Sequence, residues 1–224
     1  MVNIMSNVFD YKSPYTVDGN DESILKNKLG ITDQEELDTI ERMMTSFKLS
    51  KLYLSTGAQT FDTEHLVSIH KYLFEDIYDF AGVIRSENIA KSFTFCLVQY
   101  INEQLRTTLK RAASKVYTID SREKLLDFIV VLYSDLDMIH PFREGNGRTE
   151  REFIRQYIDY ICQRNGLESY YLDYGMITDR DAYISAIVQA DIMMNYGPLR
   201  KIFDNILKIK VINKNDVEDK SKTI

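Results

Sequence analysis

Met138-Ile-His-Pro-Phe-Arg-Glu-Gly-Asn-Gly-Arg-Thr-Glu-Arg151 is the stretch on which the fold of this chain turns. Before it, Leu125, Ile129, Leu132, Leu136 and Ile139 recur at helical spacing; after it, a second helical pattern runs from about 146 to 164 and stops before Gly166. Pro141 cannot continue the first helix, and Gly145 and Gly147 suit a tight turn with free backbone N–H groups. The pattern therefore predicts helix, tight loop, helix. With the second helix starting near Asn146, its unpaired N–H groups and positive dipole end face the loop, where a phosphate is the natural guest.

Charge placement within the stretch agrees. Arg148 and Arg151 are three apart and share one helical face. Cations are disfavoured at a helix N-terminus, so two of them there imply a bound anion or balancing carboxylates. Guanidinium forks suit phosphate oxygens, and Glu144 offers a hard oxygen for Mg²⁺ beside those phosphates. His140 stands at the loop's other end as a group able to take a proton near neutral pH. Singly, each feature has a bland account: Gly-Asn-Gly is a common turn, and a His before Pro is usually structural. Packing alone does not account for their conjunction.

Working outward, prolines stand only at 14, 141 and 198, which leaves long uninterrupted helical patterns. Residues 1–22 read as an irregular arm, and Leu25 to Leu29 as a short helix ended by Gly30. Thr32 with Glu35 reads as a capping box opening a helix through Leu49, with Leu37, Ile40, Met43, Met44 and Phe47 inward. Asp62 or Thr63 caps the next helix, with Leu66, Ile69, Leu73 and Ile77 inward. Val83 to Phe95 is β-compatible with turn residues in its middle and is expected to be a hairpin. Further helices are expected over 97–114, 121–138, 179–194 and 198–209, followed by a polar, frayed tail from Val211. Met193-Met194 reads as core filler, Tyr170, Tyr171 and Tyr174 as packing and capping, and Lys208 to Lys214 as a solvated helix end or short edge strand. The expected architecture is a mostly α bundle with one hairpin.

Composition sets bounds. Of 224 residues, 44% are apolar and 28% charged, as in ordinary globular chains. A formal charge of −6 argues against a broad nucleic-acid footprint but leaves room for a local cationic pocket. Cys96 and Cys162 lie far apart without a CxxC neighbour, and His65 and His70 are five apart, a poor metal spacing, so both histidines are expected to be structural or at the surface. The chain shows no signal-peptide pattern and no apolar run approaching 18 residues, so the expectation is a cytoplasmic protein with no membrane partner.

The 138–151 segment resembles the motif of the Fic (Fido) family: His-Pro-Phe, any residue, Asp or Glu, Gly-Asn-Gly-Arg, two residues, Arg. His140, Pro141, Phe142, Glu144, Gly145, Asn146, Gly147, Arg148 and Arg151 fill every specified place, and the run Ile69 to Arg85 looks like the one that precedes the family's β-hairpin flap. The resemblance implies a mostly α, Fic-type helical bundle with one flap: an N-terminal arm and helices over 1–59, the Fic domain over 60–203, and a helix end and tail over 204–224. It implies transfer of AMP from ATP to a Ser, Thr or Tyr hydroxyl of a target protein. By position, His140 is the general base, Glu144 holds Mg²⁺, Gly145, Asn146 and Gly147 cradle phosphate oxygens, and Arg148 and Arg151 hold the outer phosphates. Phe142 reads as a core anchor. The flap near 89–95 would clamp the target by strand addition; Lys91 matches the family's flap lysine, whereas Ser92 stands where Gly is common. Tyr183 is a candidate to lie against the adenine, although a core role is the favoured reading.

Alternatives stay open within that resemblance: a relative using UTP, GTP, CDP-choline or a reversed ATP, or a nucleotide-binding regulator without turnover. Gly147 favours AMP transfer over the kinase-like relatives, and an intact His140 argues against a mere binder. Many Fic proteins carry an inhibitory Ser/Thr-x-x-x-Glu-Gly/Asn helix whose Glu pairs with the second motif arginine, here Arg151. Thr32 to Glu36 is followed by Leu37, and Thr60 to Glu64 by His65, so neither completes it. The implied inhibitor is a divergent one or a separate antitoxin, and toxin, effector and housekeeping roles all remain open.

Overall fold

The computed structural model describes residues 14–16, 24–54, 59–91 and 93–210. Most of the expected arm, Ser92 and the expected tail from Val211 lie outside the described residues. Among the described residues there are seven α-helices: α1 Gln34–Tyr53, α2 Thr63–Phe74, α3 Val98–Lys115, α4 Arg122–Ile139, α5 Asn146–Asn165, α6 Arg180–Met193 and α7 Gly197–Ile206. Four begin at a side chain that accepts an orphan N–H of the first turn: Asp33, Asp62, Ser121 and Asp179. Each such cap contributes about 1 kcal/mol. Gly166 ends α5 with φ +68, where a side chain would be strained.

The centre of the molecule is α4 against α5. Leu125, Ile129, Leu132 and Leu136 meet Phe153, Tyr157, Ile158 and Ile161 there, all of them buried. α2 covers one side of this pair through Leu66, Ile69 and Leu73. α7 closes another through Leu199 and Phe203. Among the described residues no helix is long and apolar enough to cross a membrane.

Several expectations need correction. The first cap is Asp33, not Thr32: Asp33 is the extended residue, and its carboxylate accepts the Glu36 N–H at 2.8 Å. Met43 and Phe47 are exposed, because the buried face of α1 runs through Leu37, Glu41 and Thr45. Leu37 is buried and Met44 packs against the core as expected, but Glu41 and Thr45 complete the buried face and are polar, so apolar periodicity misplaced Met43 and Phe47. Leu25 to Leu29 is not helical. Leu25 bridges to Thr16, and the Asn27 amide bonds Leu25 O, Ile31 O and Ile31 N, which organises a loop instead. Met193 and Met194 are exposed rather than core.

The 83–97 segment forms its hairpin as a tight antiparallel turn. Ala90 and Thr94 bridge, Lys91 N donates to Phe93 O, and Phe95 N donates to Ile89 O. Among the described residues, the two regular strands lie elsewhere. β1 (Tyr170–Leu172) pairs antiparallel with β2 (Leu207–Ile209), Tyr171 opposite Lys208. Consequently α7 stops at Ile206 rather than 209, where Leu207 turns extended.

Candidate active site

The loop between α4 and α5 is held from several directions. His140 ends α4 in the left-handed region, φ 47 and ψ 62, while its N–H still donates to Leu136 O. Asn146 then closes the loop: its Oδ1 accepts Phe142 N at 2.8 Å and its Nδ2 donates to Phe142 O at 2.7 Å. Gly145, at φ +80, lies flat against the Phe74 ring, where an added Cβ would stand 2.2 Å from Cζ. His70 Nδ1 accepts the Gly82 N–H, so Nε2 carries the proton and donates to Glu144 O at 2.9 Å. Its ring stacks on Phe142 at 3.8 Å, and burial, reinforced by the Arg148 charge, pushes its pKa down to about 4. His70 is structural, as expected, but the structure it supports is the loop itself.

His140 is buried at 8% exposure, with the flap's Phe95 stacked on its ring at 3.9 Å. Its Nδ1 lies 3.2 Å from Asp137 O, and a carbonyl can only accept, so Nδ1 carries the proton and Nε2 is left with a free lone pair. Burial is the main force pushing the His140 pKa down to about 3, with Lys91 and Arg85 adding to it against the Asp137 carbonyl. The imidazole is therefore neutral at physiological pH, the protonation state a general base requires.

The other end of the loop has anion-binding character. Gly145 is the N-cap of α5 and brings no side-chain acceptor, so the N–H groups of Asn146, Gly147 and Arg148 are the helix's orphan donors. The Asn146 side chain is committed to Phe142, which leaves only its backbone to face a phosphate. Arg148 and Arg151 line a common cleft of about 400 Å³ with Glu41, Tyr78 and Glu144. Glu144 Oε1 accepts Gly145 N at 2.8 Å and lies 3.4 Å from Arg148, and 43% of the side chain is exposed. Among the described residues no three His, Cys, Asp or Glu form a metal site alone. Arg148 is already engaged by Glu41, whose other oxygen accepts the Tyr78 hydroxyl. Arg151 lies over the Tyr174 ring at 5.5 Å and, among the described residues, has no carboxylate within ion-pair distance.

The remaining candidates stand farther off. Lys91 is exposed, 5.7 Å from the Phe95 ring. Tyr183 donates its hydroxyl to Tyr133 at 2.7 Å and packs near Phe203, the favoured core placement. Sequence reasoning missed Glu41 and a set of acids beneath the loop. Asp137 and Asp191 face each other, Ser134 donates to Asp191, and Glu150 is enclosed without a hydrogen-bond partner. Burial pushes all three carboxyls upward, Asp191 to about 8, and so weakens their negative charge beside the loop. No periodicity marks such residues.

Comparison with known proteins points one way. The model of the Fic/DOC family matches residues 60–158. The probable protein adenylyltransferase Fic of Escherichia coli K12 is 30% identical over 147 residues, spanning 65% of this chain and 72% of its own length. Protein adenylyltransferase VbhT of Bartonella schoenbuchensis is 31% identical over 70% of this chain and 36% of its own. Among solved structures, the N-terminal Fic domain of a VirB-translocated effector from Bartonella quintana superposes with a TM-score of 0.74, at 24% identity, covering 94% of this chain and 97% of that one. A Bartonella quintana Fic domain with bound ADP does so at 0.72 and 25% identity, covering 88% and 95%. With its motif loop strung between α4 and α5 and these relatives across most of its length, the chain belongs to the Fic/DOC family.

Proposed function

We propose that this chain is a protein adenylyltransferase that moves AMP from ATP to a Ser, Thr or Tyr hydroxyl of a target protein. The observation that carries the reading is the state of His140: buried, stacked, proton on Nδ1, and Nε2 free at a pKa far below neutrality. As the target oxygen bonds to the α-phosphorus, its proton passes to Nε2, the bond from that phosphorus to the bridging oxygen breaks, and pyrophosphate leaves. The N–H groups of Asn146 and Gly147 hold phosphate oxygens, and Arg148 and Arg151 hold the outer phosphates as charge collects on the leaving group. Glu144 is the residue to hold Mg²⁺, which supplies further charge neutralisation when bound. Adenylyltransferase relatives at 30–31% identity and the ADP held by a related Fic domain support the nucleotide. Ala90, Lys91 and Thr94 are exposed, an edge suited to adding a target segment as a strand. We assign the catalytic unit to residues 60–203, and a separate antitoxin supplying a Glu would find Arg151 available.

Incubation of a protein extract with α-labelled ATP, GTP, CTP and UTP in parallel tests the donor, and mass spectrometry of the labelled target tests the group transferred. AMP is expected. His140→Ala should keep ATP affinity within about twofold and lose about 10²–10⁴-fold in transfer. Near wild-type transfer by that variant would end the mechanism even with the fold intact.

A further inference from the structure

Arg85 is a buried cation, 2% exposed, and its hydrogen bonds go to backbone carbonyls rather than to a carboxylate. Its Nε donates to His140 O at 2.8 Å and Nη1 to Glu87 O at 2.7 Å, while Nη2 reaches Cys96 O and, at 3.4 Å, Ile139 O. Arg85 N also donates to Pro141 O at 2.9 Å, and Cys96 N to Met138 O at 3.0 Å. One guanidinium thus joins both feet of the flap, Glu87 and Cys96, to the two residues where α4 ends. Arg143 adds a second tie, its Nε 2.8 Å from the Glu87 carboxylate.

A buried guanidinium with no carboxylate hydrogen-bonded to it is costly unless its donors are filled, and here carbonyls of two separate segments fill them, with the Glu87 charge nearby. Those carbonyls include that of His140, whose left-handed backbone is unfavourable for a residue with a Cβ and persists only where the surroundings hold it. The stacked ring of Phe95 lies on the same flap, one residue before Cys96. We propose that Arg85 is the positioning residue of this site, fixing the general base and the target-clamping flap as one rigid unit. Lysine cannot replace it, because a single ammonium lacks the planar fork that reaches both flap feet and the His140 carbonyl.

The inference rests on His140 acting as base, so its test separates the two. Arg85→Lys is compared with wild type and His140→Ala for ATP affinity by calorimetry, incorporation of α-labelled AMP into one protein extract, and ¹⁵N spectra of the three histidine rings. Arg85 touches none of the phosphate-binding groups, so ATP affinity should stay within about twofold. Transfer should fall by about 10²-fold, the scale expected of a small misplacement of reacting groups. The His140 ring signals should shift and broaden while those of His65 and His70 stay put. Loss of transfer with unchanged His140 signals, or retained transfer in folded Arg85→Lys, overturns the proposal. If wild type itself transfers no AMP, the proposed function fails, and the ring signals still decide the positioning role. Should Arg85→Lys not fold, the wild-type Arg85 Nε–H gives the answer: slow exchange at alkaline pH supports the tie to His140, and exchange as fast as that of exposed arginines refutes it.

Discussion

Gly145→Ala is the change that most directly tests how the loop is built, and Gly166→Ala supplies its control. Both glycines sit in the left-handed region, at φ +80 and +68, and both flank α5. A side chain in that conformation costs roughly 1–2 kcal/mol. Part of that, about 0.4–1 kcal/mol, is returned because alanine restricts the unfolded chain. Nothing lies within 4 Å of a Cβ built at Gly166, so its substitution should cost about 1 kcal/mol or less. At Gly145 the same Cβ meets Phe74 Cζ at 2.2 Å and Cε2 at 2.4 Å. Phe74 is 0% exposed and wedged by His70 and Tyr78, so the ring has no free direction in which to yield. Overpacking of this kind adds about 1–3 kcal/mol. Gly145→Ala should therefore lose about 2–4 kcal/mol, visible as a lower urea midpoint at unchanged slope. Phe74→Leu in the Gly145→Ala background should recover part of the loss, a coupling that independent sites would not show. ATP affinity should weaken at least about tenfold in Gly145→Ala, since the displaced N–H groups are those proposed to hold phosphate, and stay unchanged in Gly166→Ala. Equal destabilisation of the two alanine variants, or additive behaviour with Phe74→Leu, would refute this account of the loop.

Two further outcomes follow from the site. His140 is held to about 3, so the proposed base stays unprotonated above that value, and kcat/KM should not decline from pH 8 to pH 5.5 through its protonation; an acid limb near the ordinary histidine value of about 6.5 would contradict its burial. Glu41→Ala removes the acceptor shared by Tyr78 and Arg148, leaving a buried hydroxyl without its acceptor and Arg148 with only its longer contacts to Glu144 and Thr45, and should cost about 2 kcal/mol by thermal or urea unfolding; a loss under about 0.5 kcal/mol would show that water reaches the hydroxyl.

Much of this was legible without coordinates because it rests on local rules. Asp62 starts a helix by the chemistry of its own side chain, Gly166 ends one, and the α4 stripe from Leu125 to Ile139 is the buried stripe. The motif loop lies where helix, Pro141 and the glycines put it. What could not be read depends on residues distant in sequence. Glu41 meets Arg148 across 107 positions, His70 meets Glu144 across 74, and Arg85 meets His140 across 55. Polar partners of this kind obey no period, and in α1 they rotated part of the inferred face, so that Met43 and Phe47 are exposed while Leu37 is buried. The strand pair Tyr171 to Lys208 is hidden for the same reason, since each three-residue strand is too short to leave a pattern.

Those long-range polar contacts also explain why so many locally unfavourable choices gather at one loop. A left-handed histidine, a guanidinium buried among carbonyls, a buried glutamate and three carboxyls pushed toward protonation would each be destabilising in isolation. They persist because the loop is strung between the two most deeply packed helices, whose apolar contacts supply stability that the loop does not have to generate. The compensation is also specific in direction. Four groups of the loop are held from outside it: α1 holds Arg148, α2 holds the Glu144 carbonyl, Arg85 holds the His140 carbonyl, and Phe95 of the flap stacks on the His140 ring. Loosening any one element should therefore degrade one function of the loop selectively, phosphate binding from α1 and α2 and proton abstraction from the flap, rather than melt the site as a whole.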